Sequence, residues 1–425
     1  DFAIASEHSH RRTLWVTVIA VLLILLVVFR APIAAMVLLG TVSFAAYVAH
    51  LTLTQAAHVG LHVGTAERIF VYVLLYGVGV DYSLLYLARF REQLGEGRLP
   101  GPGASAAWSG TAPAIGASAG TDIIGLAMLA FGSFKLYQNT GFVVPIGLAI
   151  AMVASLTIVP AAAAIFGRRL FWPASRRGFH PPKLWTIIAD KVVRRPLAAL
   201  LIPLAVLAAA ACFGVRIPYV YDALTGLGPG YGSVRGIEIA RRHWPVGQIS
   251  PTMVVLERRD EPATAPAGFE EVVRPLTRKL MAAEGVGDVR SLTQPLGEEG
   301  RNAMTRALLR LAGGEVRGEY VAENNQATRV IVVLDSSGMS NRAMETLGRV
   351  REICRETAGD SFEVLIAGPT AEVVDLRRVT SRDFRMIAAL ALAVVFLIVL
   401  LLLRDPILSG FMILATVVSY LATLG

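Results

Sequence analysis

The sequence predicts an α-helical membrane bundle with one α+β domain inserted among its spans. Three observations predict it. Of 425 residues, 54% are hydrophobic and only 17% are charged, whereas an ordinary soluble chain is about a quarter charged. The hydrophobic residues fall in eight long blocks. A single polar stretch, with alternating strand and helix patterns, interrupts them.

A bilayer core takes about 20 mostly apolar helical residues. The blocks that meet this length are Thr13–Phe29, Ile33–His50, Ile69–Leu87, Thr111–Phe134, Val143–Phe166, Leu197–Val215, Ile387–Leu403 and Ile407–Leu424. Any one could be a buried soluble helix. Eight in one chain argue for membrane spans.

The formal charge is +8, and the position of the arginines assigns it to topology. Residues 167–196 carry Arg168, Arg169, Arg176, Arg177, Lys183, Lys191, Arg194 and Arg195, and read as a cytoplasmic loop by the positive-inside rule. Arg89, Arg91 and Arg98 after the third span, and the turn at Arg30, fall on the same side. No nucleic-acid partner is expected. Trp108, Trp172 and Trp185 suit interfacial anchors. Cys212 and Cys354 lie in unlike surroundings, and no bridge between them is expected.

Residues 216–382 then lie on the outer face. They open with the glycine-rich hinge Gly226-Leu-Gly-Pro-Gly-Tyr-Gly232, which lacks the strand-to-helix setting of a dinucleotide fingerprint. Beyond it come strand Thr252–Leu256, helix Phe269–Ala283, strand Gly287–Leu292, a short helix around Asn302–Leu311, strand Thr328–Leu334, helix Asn341–Thr357 and strand Phe362–Ile366. This is the β-α-β, β-α-β order of a ferredoxin-like domain. A helix from Thr370 leads into the next span.

The two ends of the chain repeat each other. Arg11, Arg30, Pro32 and Ile33 match Arg385, Arg404, Pro406 and Ile407 at one constant offset of 374. Parallel repeats are a common transporter plan. Residues 1–12 are then expected to end a first outer domain. Residues 13–166 hold five spans of the first repeat, 197–215 a further span, and 383–425 the first two spans of the second. A complete parent of roughly 720 residues with about twelve spans is expected, extending past both ends.

The strongest chemical signal is Gly77-Val-Gly79-Val-Asp81-Tyr82 within the third span. Asp81 lies 13 residues from Arg68 and 8 from Arg89, about 20 Å and about 12 Å along a helix. A carboxyl at that depth is costly unless paired, wetted or protonated, so it is expected to take up and release protons. Tyr82 can donate to a carboxylate. Asp122, with Thr121 beside it, lies near mid-depth of the fourth span and is expected to line the same buried site. Gly116 and Gly120 form a small-residue face expected to pack against Gly77 and Gly79.

Other chemistry is weakly encoded. His58 and His62 lack a third ligand, and no metal is expected. No lysine follows a glycine as a phosphate-binding loop requires. Neither an enzyme nor a cofactor is expected, so an ion gradient would supply the energy.

The run from Gly77 to Tyr82, with Arg89-Phe90-Arg91-Glu92 after it, resembles the MMPL branch of the RND transporter superfamily. That branch carries Gly-x-Asp-Tyr and then Arg-Phe-x-Glu at this spacing. The stretch from Thr121 to Pro160, the run Arg168-Arg-Leu-Phe-Trp-Pro173 and the segment Gly230-Tyr-Gly-Ser-Val-Arg-Gly236 resemble it too. The resemblance implies an RND-type transmembrane bundle with a porter-like outer domain in a bacterial inner membrane. It implies a proton-driven exporter of lipids or other hydrophobic molecules, with protons, the membrane and the substrate as partners and a homo-oligomer allowed. Asp81 and Tyr82 would carry the proton relay. A second Asp-Tyr pair would fall at the offset position, 455, beyond Gly425. Asp122 stands where the family usually has a small polar residue. The same architecture also serves sterol-sensing receptors and protein-export accessory proteins, which keep the spans without needing a titrating acid.

Overall fold

The computed structural model describes residues 2–173, 183–214, 231–259, 268–298 and 313–424. The chain divides into two compact units, one of residues 219–380 and one made of residues 2–218 and 381–425. The hinge at 226–230 and the helix expected at 302–311 lie outside the described residues.

The larger unit is a bundle of α-helices. In chain order it contains α1 (Phe2–Phe29), α2 (Pro32–His58), α3 (Thr65–Gly95), α4 (Pro100–Ala127), α5 (Lys135–Phe166), α6 (Lys183–Arg194) and α7 (Pro196–Gly214). Among the described residues seven helices are long and apolar enough to cross a membrane, or eight if α6 and α7, bent by 102°, form one broken span. The protein is a multi-pass membrane protein.

Several helices extend past the apolar blocks. The fourth begins at Pro100 rather than Thr111, because Pro at the first turn gives up an amide that no helix could use. It ends in a 3-10 turn, Met128–Phe131. The basic segment is not loop throughout. Lys183–Arg194 is helical, with Ile187, Ile188 and Val192 at helical spacing.

Packing follows small residues. The buried face of α2 reads Ala34, Ala35, Leu38, Thr41, Val42, Ala45, Ala46, Ala49 and Leu53, a three-to-four spacing that gives one stripe. Lipid is as apolar as leucine, so close backbone approach is what holds such helices together. Gly141 on α5 shows this: a methyl group there would collide with the backbone of Ala130.

The repeat seen in sequence recurs in backbone geometry. Arg30 and Arg404 have φ of 50° and 54°, a left-handed conformation that few non-glycine residues adopt. Each donates its amide four residues back, to Leu26 and Leu400, at 2.9 and 2.8 Å. Each is followed two residues later by the proline that opens the next helix.

The smaller unit contains α8 (Gly232–His243), the short α9 (Val246–Ile249), β1 (Thr252–Arg258), α10 (Gly268–Met281), β2 (Val286–Arg290), α11 (Gly313–Tyr320), β3 (Ala327–Leu334), α12 (Asn341–Ala358) and β4 (Phe362–Ala367). The sheet order is β2-β3-β1-β4. Every pairing is antiparallel, with Val254 opposite Val330 and Ile366, and Val289 opposite Val332. The buried β-branched positions pack on Phe269, Val273, Leu276 and Leu280 of α10 and on Val350 and Cys354 of α12. Ser340 caps α12 by accepting from the Ala343 amide at 3.1 Å. Two helices follow, α13 (Pro369–Leu403) and α14 (Pro406–Leu424). The first is one unbroken helix, with residues 369–380 in the smaller unit and 381–403 in the bundle.

Candidate functional site

Helix α3 carries the sequence-predicted acid. Its buried positions include Gly79, Tyr82, Ser83, Tyr86 and Phe90, three or four residues apart, which puts them on one face. Asp81 sits about 100° around the helix from Tyr82. It is exposed, and among the described residues it has no hydrogen-bond partner. Tyr82 is 4% exposed and points into the bundle.

Across from it, α4 presents Asp122. The Tyr82 hydroxyl donates to Asp122 Oδ2 at 3.0 Å. Asp122 is half-buried. The structure thus joins two of the sequence-predicted residues and leaves two outside the bond. Thr121 is turned back on its own helix, donating to the Ala117 carbonyl at 2.8 Å. Asp81, about 100° around the helix from Tyr82, makes no such bond. Asp81 nonetheless lies close enough to interact electrostatically with Asp122 and Tyr82.

The glycines also fall differently from expectation. Gly79 packs closely, but against α2 and α5: a Cβ there would lie 3.3 Å from Val42 and 3.6 Å from Ala151. Gly77, Gly116 and Gly120 have nothing within 4 Å of such a Cβ. The expected glycine-on-glycine seam between α3 and α4 is absent among the described residues. Instead, Tyr86 donates to the Ala104 carbonyl at 3.2 Å, and Tyr82 reaches Asp122. Aromatic side chains span a gap that glycines would have closed.

Two further polar contacts escaped sequence reasoning. Ser83 and Ser155 are almost fully buried and their hydroxyls lie 3.0 Å apart. Each has one proton. Ser83 donating to Ser155, and Ser155 donating to the Gly79 carbonyl at 3.2 Å, satisfies both and ties α5 to the helix just ahead of Asp81.

The other contact is Asp383 on α13, 1% exposed. Its Oδ2 accepts from the Ser133 and Phe134 amides, both at 2.7 Å. Phe134 precedes α5 and has no side-chain cap of its own, so a carboxylate distant in sequence caps that helix. Its Oδ1 is buried without a partner. The only sequence signal was a lone acid just ahead of an apolar run.

No group of three or more metal-ligating side chains occurs among the described residues. His58 ends α2 and His62 lies in the following loop, so the two do not share a helix face.

Known proteins resemble this chain over most of its length. The MMPL family profile matches residues 1–199 and 226–425. The chain is 28% identical over 418 residues to ActII-3 of Streptomyces coelicolor, named as a membrane protein, covering 96% of this chain and 52% of that one. It is 26% identical over 440 residues to the apo-petrobactin exporter of Bacillus anthracis, covering 96% and 53%. It is 26% identical over 303 residues to "Probable transport protein MmpL12" of Mycobacterium tuberculosis, covering 71% and 26%. The chain spans about half the length of the first two relatives and about a quarter of the third.

Proposed function

Since the chain belongs to the MMPL family, we propose that it works in a proton-motive-force-driven exporter of RND type, moving lipids or other hydrophobic molecules out of a bacterial inner membrane. The observation that carries this reading is an acid at mid-span, Asp81, followed by a tyrosine bonded to a second acid on the next helix at 3.0 Å. An intramembrane carboxyl is costly to keep and is found mostly where ions or protons pass. The similarity to an exporter and to a protein named for transport supports the same reading.

In this proposal Asp81 takes the proton from its exposed side and loses its charge. Tyr82, one residue on, holds Asp122 and so reports the change at α3 to α4. Ser83 and Ser155 keep α5 registered to the same turn of α3. Rocking of the repeats would then move the outer domain that handles substrate. Residues 216–382 form that domain, on the outer face. Its β2-β3-β1-β4 order, with a helix after β1 and another after β3, supports a ferredoxin-like porter fold. Residues 167–196 lie on the cytoplasmic side, as their basic charge supports.

The test is genetic and chemical. Deleting the gene should make one class of envelope lipid or other hydrophobic molecule accumulate at the inner membrane. Wild-type protein should clear it, and Asp81→Asn should not. Clearance by Asp81→Asn equal to wild type would remove the proton-relay reading.

A further inference from the structure

Between the end of α2 and the start of α3 lies a cavity of about 210 Å³. Its walls are of two kinds. Leu53, Val63 and Val71 form an apolar floor, and Leu53 and Val71 are nearly fully buried. His50, Arg68 and Tyr72 form a polar rim. The Tyr72 hydroxyl and His50 Nδ1 lie 3.1 Å apart, which fixes both groups at the rim.

The charge at this rim is one-sided. Arg68 is exposed, and among the described residues no carboxylate lies within ion-pair distance of it. Its neighbour Glu67 is 3% exposed and is folded back against Gly64. Arg68 also sits in the first turn of α3, whose cap residue Gly64 supplies no side-chain acceptor. Glu67 offsets the partial positive charge of that helix start, so the positive charge at the rim is the guanidinium of Arg68. A guanidinium on a helix start, with no acid among the cavity walls, is built to meet an anion.

The floor decides what kind of anion. A small hydrated ion gains nothing from Leu53, Val63 and Val71. An amphiphile gains from both walls, its charged group on the rim and its apolar part on the floor. We infer that this cavity binds the anionic head group of a membrane lipid or lipid-like molecule, with Arg68 as the principal contact. On the orientation proposed above, the site faces the outer leaflet. The site does not depend on proton coupling and its test does not measure transport.

The protein should be purified with defined lipids and examined by native mass spectrometry. Phosphatidylglycerol and phosphatidylcholine with the same acyl chains would be offered, and inorganic phosphate added as competitor. Wild type should retain phosphatidylglycerol over phosphatidylcholine by about tenfold, the worth of one charged hydrogen-bonded contact. Arg68→Gln should erase that preference and Arg68→Lys should keep most of it. Ala57→Phe, which fills the cavity from an exposed wall position, should reduce retention of both lipids. An unchanged preference in Arg68→Gln, in protein with wild-type thermal unfolding, would overturn the inference. Displacement of phosphatidylglycerol by millimolar phosphate alone would also overturn it, by assigning the cavity to a free anion.

Discussion

The hydroxyl of Tyr82 donates to Asp122 Oδ2 at 3.0 Å, joining α3 to α4 beside the acid that the sequence marks. Tyr82 is nearly fully buried and Asp122 half-buried, so losing one partner leaves the other poorly solvated. Leaving a buried polar partner without its hydrogen bond costs about 1–3 kcal/mol. Tyr82→Phe should therefore lower transport by about tenfold or more with helix content unchanged. Asp122→Asn keeps an acceptor and should lose less. If both act through this bond, Tyr82→Phe with Asp122→Asn should lose little more than Tyr82→Phe alone. Additive losses in that cycle would separate the two residues.

Asp383 caps α5 from another helix with two bonds of 2.7 Å. Asp383→Ala leaves the Ser133 and Phe134 amides unpaired and should cost about 1–3 kcal/mol. Asp383→Asn keeps one carbonyl acceptor and should recover much of that. Thermal unfolding in detergent measures both.

Gly77 and Gly79 should respond oppositely to larger side chains. Gly77 faces open space, so Gly77→Ala should stabilise by roughly 0.5–1 kcal/mol through helix propensity. Gly79 faces Val42 and Ala151 at 3.3 and 3.6 Å. Gly79→Leu must push α3 away from α2 and α5, and should lower the unfolding temperature and disturb the Ser83–Ser155 tie. Comparing the two variants by thermal unfolding tests the packing directly.

In the smaller unit, burial pushes the Cys354 thiol up from 9.0 to about 12. The neutral thiol is therefore favoured in the fold. Its contribution to stability is fully present below pH 9, the unfolded value, and is lost as pH rises towards 12. Cys354 should resist alkylation at pH 9 in the native protein and react readily once the domain is unfolded in denaturant. Mass spectrometry after timed alkylation gives the ratio.

Most of the fold was legible because its signals are long or strongly periodic. The apolar blocks gave the spans, and the β-branched runs at 252, 328 and 362 gave three strands within a residue or two of their ends. Asp81 was legible because an acid is conspicuous in an apolar helix. Its relation to Asp122 was only partly so. Sequence put both acids at mid-depth, but which side chain crosses the gap depends on helix rotation, and that chose Tyr82. The glycine seam failed for the same reason, since spacing says that a face is small without saying what packs on it. The Asp383 cap joins residues 249 and 250 positions apart, and no local pattern encodes such a pairing. The helix at Lys183–Arg194 was hidden by the charges that made the basic segment read as a loop.

Gradient-driven export in vesicles of imposed polarity tests the central claim most directly, with Asp81→Asn compared to wild type and to Asp81→Glu. The substrate is the molecule that accumulates in the deletion strain. Wild type should export it only with the gradient present, Asp81→Glu should retain part of that export, and Asp81→Asn should retain none while keeping wild-type thermal unfolding. Export by Asp81→Asn at the wild-type rate and with the same gradient dependence would contradict the account.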